Sequence, residues 1–445
     1  MRVDISAGPP TYRSPRENPW WIPPFLGGVP HGVSRTQLRL LGFLTFAMFF
    51  ENYDLSLLGN ALPQIGASFG LSKAQLGDFT SATRFGAVPA FFLVALADRL
   101  GRRRVLLACV IGMSLGSALT SSSQTAMQFV LCQVLTRTFI VTAAVVTFVV
   151  ITEEFPAENR GWGIGMLGGV SAIGFGMGAL TYGFVNQIPY GWRALYLVGI
   201  VPLLLFPALR KGIAETRRFR EHSAGLLAAA HWRAAVSGAF APIIELYRLH
   251  PRRALTLGLL GSLSAAGTGV AFQFISEFLQ TERGWTPGAF AGLSVFFGAF
   301  GIIGNPVAGR LGDRIGRRAI AAVVLGLFPI CALGFYSGPA WLVALPWTAM
   351  VFLSMACTVT IRAIATELFP TALRGTGGGS LALLETIGVA AGLFAYARGM
   401  EWIDNQSLVI PLVSLATLGG AVAALLLPET SRRELEEIGE EEVAG

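Results

Sequence analysis

The stretch Val94–Arg104, VALADRLGRRR, returns as Gly309–Ala319, GRLGDRIGRRA, so that Asp98 is matched by Asp313. Two further strings keep nearly the same offset. Thr152-Glu153-x-Phe155-Pro156-x-x-x-Arg160-Gly161-x-Gly163 recurs as Thr366-Glu367-x-Phe369-Pro370-x-x-x-Arg374-Gly375-x-Gly377. Glu215-Thr216-x-Arg218 recurs as Glu429-Thr430-x-Arg432, in step with the string before it. One unit has been duplicated. In an apolar chain, corresponding strings in two halves mark a secondary transporter whose substrate lies where the halves meet.

Composition points the same way. The 445 residues are 53% hydrophobic and only 13% charged, too apolar for an ordinary soluble domain, so a lipid bilayer is the expected surrounding. A net charge of +7 would suit nucleic acid, but the arginines fall in short clusters between apolar stretches. Membrane topology explains them, and nucleic acid is not an expected partner. Cys109, Cys132, Cys331 and Cys357 sit in apolar stretches without a CxxC pair and read as packing residues. His31, His222, His231 and His250 have no metal-site spacing, and no GxSxG or HExxH string occurs. Neither an enzyme, a metal nor a cofactor is expected.

Apolar runs long enough to span a bilayer lie at 40–62, 76–97, 105–122, 128–151, 161–185, 194–209, 254–279, 288–309, 319–337, 341–364, 375–398 and 407–427. The chain therefore reads as an all-α membrane protein of twelve transmembrane helices in two pseudo-symmetric six-helix halves, 40–209 and 254–427. Residues 1–39 form an N-terminal segment, 210–253 an arginine-rich linker with room for a short amphipathic helix, and 428–445 a tail. Arginine concentrates at 98–104, 152–160, 210–253, 310–318, 365–374 and 428–445, which places those segments and both termini in the cytoplasm and the protein in the plasma membrane.

DRLGRRR at 98–104 and GDRIGRR at 312–318 resemble the loop signature of the major facilitator superfamily. The E-x-F-P-x-x-x-R-G strings and LPETSRRELEEI at 427–438 are similar to its sugar-porter and metabolite:proton-symporter branches. The resemblance implies two halves that rock about a central cavity, with helices 3, 6, 9 and 12 peripheral. It also implies a gate of ion pairs at the cytoplasmic end: Asp98, Arg102, Glu153, Arg160 and Glu215 in one half, and Asp313, Arg317, Glu367, Arg374 and Glu429 in the other.

Ionisable side chains at mid-bilayer are costly, so each needs a reason. Glu51 and Asp54 lie midway along the first span, Arg84 along the second, Arg137 along the fourth and Glu385 along the eleventh. Glu51 and Asp54, at i and i+3, share a helix face. Two close carboxylates rarely both ionise, so this pair is the expected proton-coupling site. In proton-coupled relatives a helix 1 acid pairs with a helix 4 arginine. Asp54 with Arg137 resembles that pair, although the usual position falls on Gln133. A static set of ion pairs among Glu51, Asp54, Arg84 and Arg137 is the structural alternative.

Arg84 and Arg137 also present planar donor forks to an anion, which favours an organic acid as substrate. Glu385 is expected to bind substrate or to pair with an arginine across the halves. Gln273, Asn52 and Tyr53 are candidate cavity-lining residues, while Arg362 and Glu277 are expected to snorkel from helix ends. The function expected is proton-coupled import of a small organic metabolite by a monomer. The alternatives are a sugar:proton symporter, proton-linked efflux, and a non-transporting nutrient sensor. The sugar reading lacks the paired glutamines usual on helix 7, and efflux lacks the Gly-Pro dipeptide usual in helix 5.

Overall fold

A computed structural model describes residues 19, 21–22, 28–212, 243–301, 303–369 and 373–430. Twelve helical passes follow one another. In the first half they are α1 (Arg35–Asn60), α2 (Lys73–Arg84 and Ala87–Leu100), α3 (Arg102–Ser121), α4 (Ala126–Glu154), α5 (Arg160–Tyr182) and α6, in short pieces from Trp192 to Gly212. The second half has α7 (Pro251–Gln273 and Ile275–Thr281), α8, broken between Pro287 and Ile315, α9 (Arg317–Ser337), α10 (Ala344–Glu367), α11 (Arg374–Ile403) and α12 (Gln406–Ser414 and Ala416–Leu426). One small helix, Leu62–Phe69 after α1, was not resolved by apolar spacing, and a short helix at 243–249, where Leu246 is buried, lies in the linker for which one was expected. Glu215 and the side chains of Asp98 and Arg374 lie outside the described residues.

Eight of the described helices are long and apolar enough to cross a membrane by themselves. The first pass misses that measure because Glu51, Asn52 and Asp54 lower its hydropathy, and α2 misses it because it is broken. Large apolar side chains such as Leu131, Phe296, Phe300 and Leu345 cover the outside, as lipid contact requires. With lipid as apolar as the helix surfaces, close van der Waals approach must hold the helices together.

That approach is duplicated along with the sequence. On α5, a Cβ at Gly174 would stand 2.2 Å from the Phe49 carbonyl oxygen of α1; on α11, one at Gly388 would stand 2.1 Å from the Ser262 carbonyl oxygen of α7. One turn on, Gly178 meets Tyr53 and Ser56 as Gly392 meets Ala266. These are paired GxxxG contacts at equivalent positions of the two repeats. The turns that reverse the chain repeat too: Gly101 between α2 and α3 has φ +97°, and Gly316 between α8 and α9 has φ +121°, a region that L side chains avoid.

Among the described residues, the main packing between the halves lies toward one end. The first part of α2 lies on α11, the end of α7 on Leu62–Phe69 and α1, and the start of α8 on α5. This is the end opposite Gly101 and Gly316, called here the distal end; the other is the basic end.

Candidate functional site

Helix breaks build the centre of the molecule. The second pass is interrupted at Phe85–Gly86, where a Cβ on Gly86 would meet the Val134 carbonyl oxygen at 2.5 Å and Arg137 Cβ at 2.9 Å. Only glycine lets α2 lie so close to α4, and Thr138 donates to the Gly86 carbonyl at 2.9 Å. Arg84, the last residue before the break, is thereby set beside Arg137. Across the halves it faces the break in α7 and donates from Nη2 to Gln273 Oε1 at 2.6 Å. Broken helices meeting at the repeat interface are where transporters hold their substrates.

Arg84 and Arg137 line a cavity of about 360 Å³ between the halves, together with Ser264 and Thr268 of α7, Ser354, Cys357, Thr358 and Arg362 of α10, and Glu385, Thr386 and Val389 of α11. Among the described residues, neither arginine has a carboxylate within ion-pair distance, and the Nε of each lacks a hydrogen-bond partner. Two guanidiniums on one cavity wall are costly to keep there without a counter-charge.

The acids stand elsewhere. Glu51 and Asp54 are 4% and 5% exposed and face the interior of the first half, around a void of about 10 Å³ shared with Met113, Ser117, Thr136, Ile140 and Gly199. Asp54 Oδ1 lies 2.6 Å from Ser117 Oγ, which lies 2.9 Å from the Tyr196 carbonyl oxygen, and Gln133 faces the same carboxyl. Glu51 Oε2 has no hydrogen-bond partner among the described residues. Arg137 is within electrostatic reach of both acids but bonds neither. Two expectations are corrected here: Asp54 and Arg137 form no direct ion pair, and the static set among Glu51, Asp54, Arg84 and Arg137 is absent. The acid face of α1 turns toward α3, α4 and α6, where Asp54 meets Ser117 of α3 and, on α4, Gln133 at the usual helix 4 position in place of Arg137.

Other candidates also fall differently. Tyr53 is core rather than cavity lining: its hydroxyl donates to the Leu195 carbonyl at 3.2 Å. Asn52 bonds back to the Met48 carbonyl on its own helix. Gln273 serves Arg84 as a partner from the opposite half, and Glu385 pairs with Arg362 at 2.6 Å within its own half. Arg362 does not snorkel; α10 continues to Glu367, which leaves Arg362 on the cavity wall. Glu277 is 3% exposed and accepts from Gln406, which also donates to Tyr396 at 2.7 Å. A longer estimate of the α10 span was the signal that would have found Arg362.

At the basic end, Arg102 pairs with Glu153 at 3.1 Å, and Arg317 pairs with Glu367 at 2.8 Å and Asp313 at 3.3 Å. Glu429 accepts from the Arg317 amide at 2.8 Å, while Arg160 donates to the Phe155 carbonyl at 3.1 Å. Each of these contacts stays within one half. The distal end differs: Asp78 pairs with Arg398 at 2.5 Å and Lys73 with Glu282. Gln64 bonds Gln280 at 2.9 Å, Tyr182 bonds both, and Ser276 donates to the Asn60 carbonyl. Together these contacts tie one half to the other.

The model of the Major Facilitator Superfamily matches residues 44–393. Among curated proteins, the chain is 26% identical to the gallate transporter of Pseudomonas putida, over 88% of this chain and 92% of that protein. It is 25% identical to the cis,cis-muconate transport protein of Acinetobacter baylyi (strain ATCC 33305 / BD413 / ADP1), over 78% and 84%. Its fold is similar to that of a bacterial homologue of the human lysosomal transporter Spinster, in an inward-facing and occupied conformation, with TM-score 0.71 and 17% identity over 89% of this chain and 97% of that one. With two six-helix repeats about a central cavity, and transporters rather than enzymes as its relatives, the chain belongs to the Major Facilitator Superfamily.

Proposed function

We propose that the protein imports a small organic acid together with protons across the plasma membrane, as a monomer. The observation that carries this reading is the pair of guanidiniums, Arg84 and Arg137, on one wall of the central cavity, with no carboxylate within ion-pair distance of either among the described residues. A carboxylate supplies what they lack, through charge-assisted and bidentate hydrogen bonds. A neutral sugar brings no negative charge to either guanidinium. The named cargoes of two relatives, gallate and cis,cis-muconate, are carboxylates.

Proton coupling is supported by a count of hydrogens. Ser117 has one hydroxyl hydrogen but two acceptors within reach, Asp54 Oδ1 and the Tyr196 carbonyl. A proton on Asp54 resolves the conflict: Asp54 donates to Ser117, and Ser117 donates to Tyr196. It also removes a negative charge from behind Arg137, which leaves that cation free for the substrate. Loading Asp54, with Glu51 as its neighbour, thus strengthens anion binding, and this is the sign that symport requires.

Arginine retention on the cytoplasmic side makes the basic end and both termini cytoplasmic, so the closed distal end faces outward and the cavity faces inward. Closure of the basic end in the opposite state brings together Asp98, Arg102, Glu153, Arg160 and Glu215 with their repeats Asp313, Arg317, Glu367, Arg374 and Glu429. Uptake of gallate into proteoliposomes tests the coupling. Asp54→Asn should abolish accumulation driven by a pH gradient and keep counterflow exchange. Equal loss of both, or retention of both, contradicts the assignment.

A further inference from the structure

We infer that Arg362, facing the arginine pair across the cavity, is a second anion subsite occupied by Glu385 until a substrate carboxylate displaces it, so that the carrier selects acids with carboxylates at two ends. The inference rests on the acid-carrier reading and adds what the far end of the substrate must be. Arg84 and Arg137 line the cavity from the first half, and Arg362 and Glu385 line it from the second. The wall therefore carries three positive side chains and one negative, with Glu51 and Asp54 behind Arg137 rather than in the cavity.

The Arg362–Glu385 pair is built to be opened. It is a single contact, Nη2 to Oε2 at 2.6 Å, and the arginine side chain is 47% exposed. A guanidinium has five N–H donors and binds a carboxylate best through two parallel ones. Glu385 takes one, which leaves the fork open for a bidentate ligand. A merely structural bridge in a duplicated fold would be expected in both halves. Yet in the register that matches Glu367 to Glu153, Arg362 corresponds to Phe148 and Glu385 to Ser171. The pair belongs to the cavity, not to the scaffold.

Benzoate and terephthalate share one ring and differ by one carboxylate, so calorimetry with both on the full chain in detergent isolates the second subsite. Terephthalate should bind about tenfold more tightly, a difference of one decade in Kd. Arg362→Gln should bring terephthalate down to the benzoate level and leave benzoate within about twofold, which also reports that the site is folded. Glu385→Gln, by freeing Arg362, should tighten terephthalate several-fold and by more than it tightens benzoate. Equal binding of the two acids by the wild type, or a loss shared equally by both in Arg362→Gln, overturns the inference and leaves the acid-carrier reading intact. Failure of the wild type to bind either acid overturns both.

Discussion

At the basic end, Arg102–Glu153 and Arg317–Glu367 each tie two helices of one half, and the second pair copies the first. At the distal end, Asp78–Arg398 and Lys73–Glu282 each tie one half to the other, and neither has a copy. In the register that matches Glu153 to Glu367, Asp78 corresponds to Gly292, Arg398 to Phe184, Lys73 to Pro287 and Glu282 to Ser68. The same holds for the cavity charges: Arg84 corresponds to Gly298 and Arg137 to Val351. Duplication accounts for the architecture of the halves, and the distal ion pairs and Arg84, added outside it, act between them. A carrier needs this division, because rocking requires halves that keep their shape and contacts between them that open.

The largest effect is expected where the scaffold is touched. Gly388→Val would drive a side chain into the Ser262 backbone, an overpacking cost of about 3 kcal/mol or more, and Gly174→Val should do the same in the other half. Size-exclusion yield should collapse for both, while Gly168→Ala, with open space around it, behaves as wild type. Collapse in only one half would break the symmetry argued for the scaffold.

Next in size is the distal end. Exposed ion pairs contribute about 0.2–1 kcal/mol each, so Asp78→Asn with Lys73→Gln should shift the closed population by a factor of about two to thirty. Spin labels at Gln75 and Glu401 should report a longer distance. An unchanged distribution would show that the hydrogen-bonded cluster of Gln64, Gln280 and Tyr182 holds that end without the charges. The smallest effect belongs to the basic end: Glu153→Gln or Glu367→Gln should each lower the melting temperature by about 1–2 °C and leave the distal distances as they were. A change in those distances would mean that these pairs act between halves in this state as well.

Most of the scaffold was legible in the sequence because span length and arginine clustering are properties of the chain itself. The breaks were not. Residues 76–97 read as one apolar span, and nothing in apolar spacing marks Phe85–Gly86, since both pieces of α2 remain helical; the break follows from how closely Gly86 meets α4. Arg84 and Arg137 stood out as mid-span charges. The spacing of Glu51 and Asp54 shows that they share a face but not which neighbour that face meets, and only packing turned it toward Ser117. Arg362 and Glu277 were assigned to helix ends because polar residues shorten an apolar run while the helix continues through them.

The central claim is that a carboxylate binds between the halves on Arg84 and Arg137. A thermal-shift measurement with benzoate on the wild type and on Arg137→Ala tests it most directly, because a ligand that binds the folded state raises the melting temperature by mass action. The account predicts stabilisation of the wild type and its loss in the variant. Equal stabilisation of both proteins, or stabilisation of the wild type by a neutral sugar and not by benzoate, would contradict it.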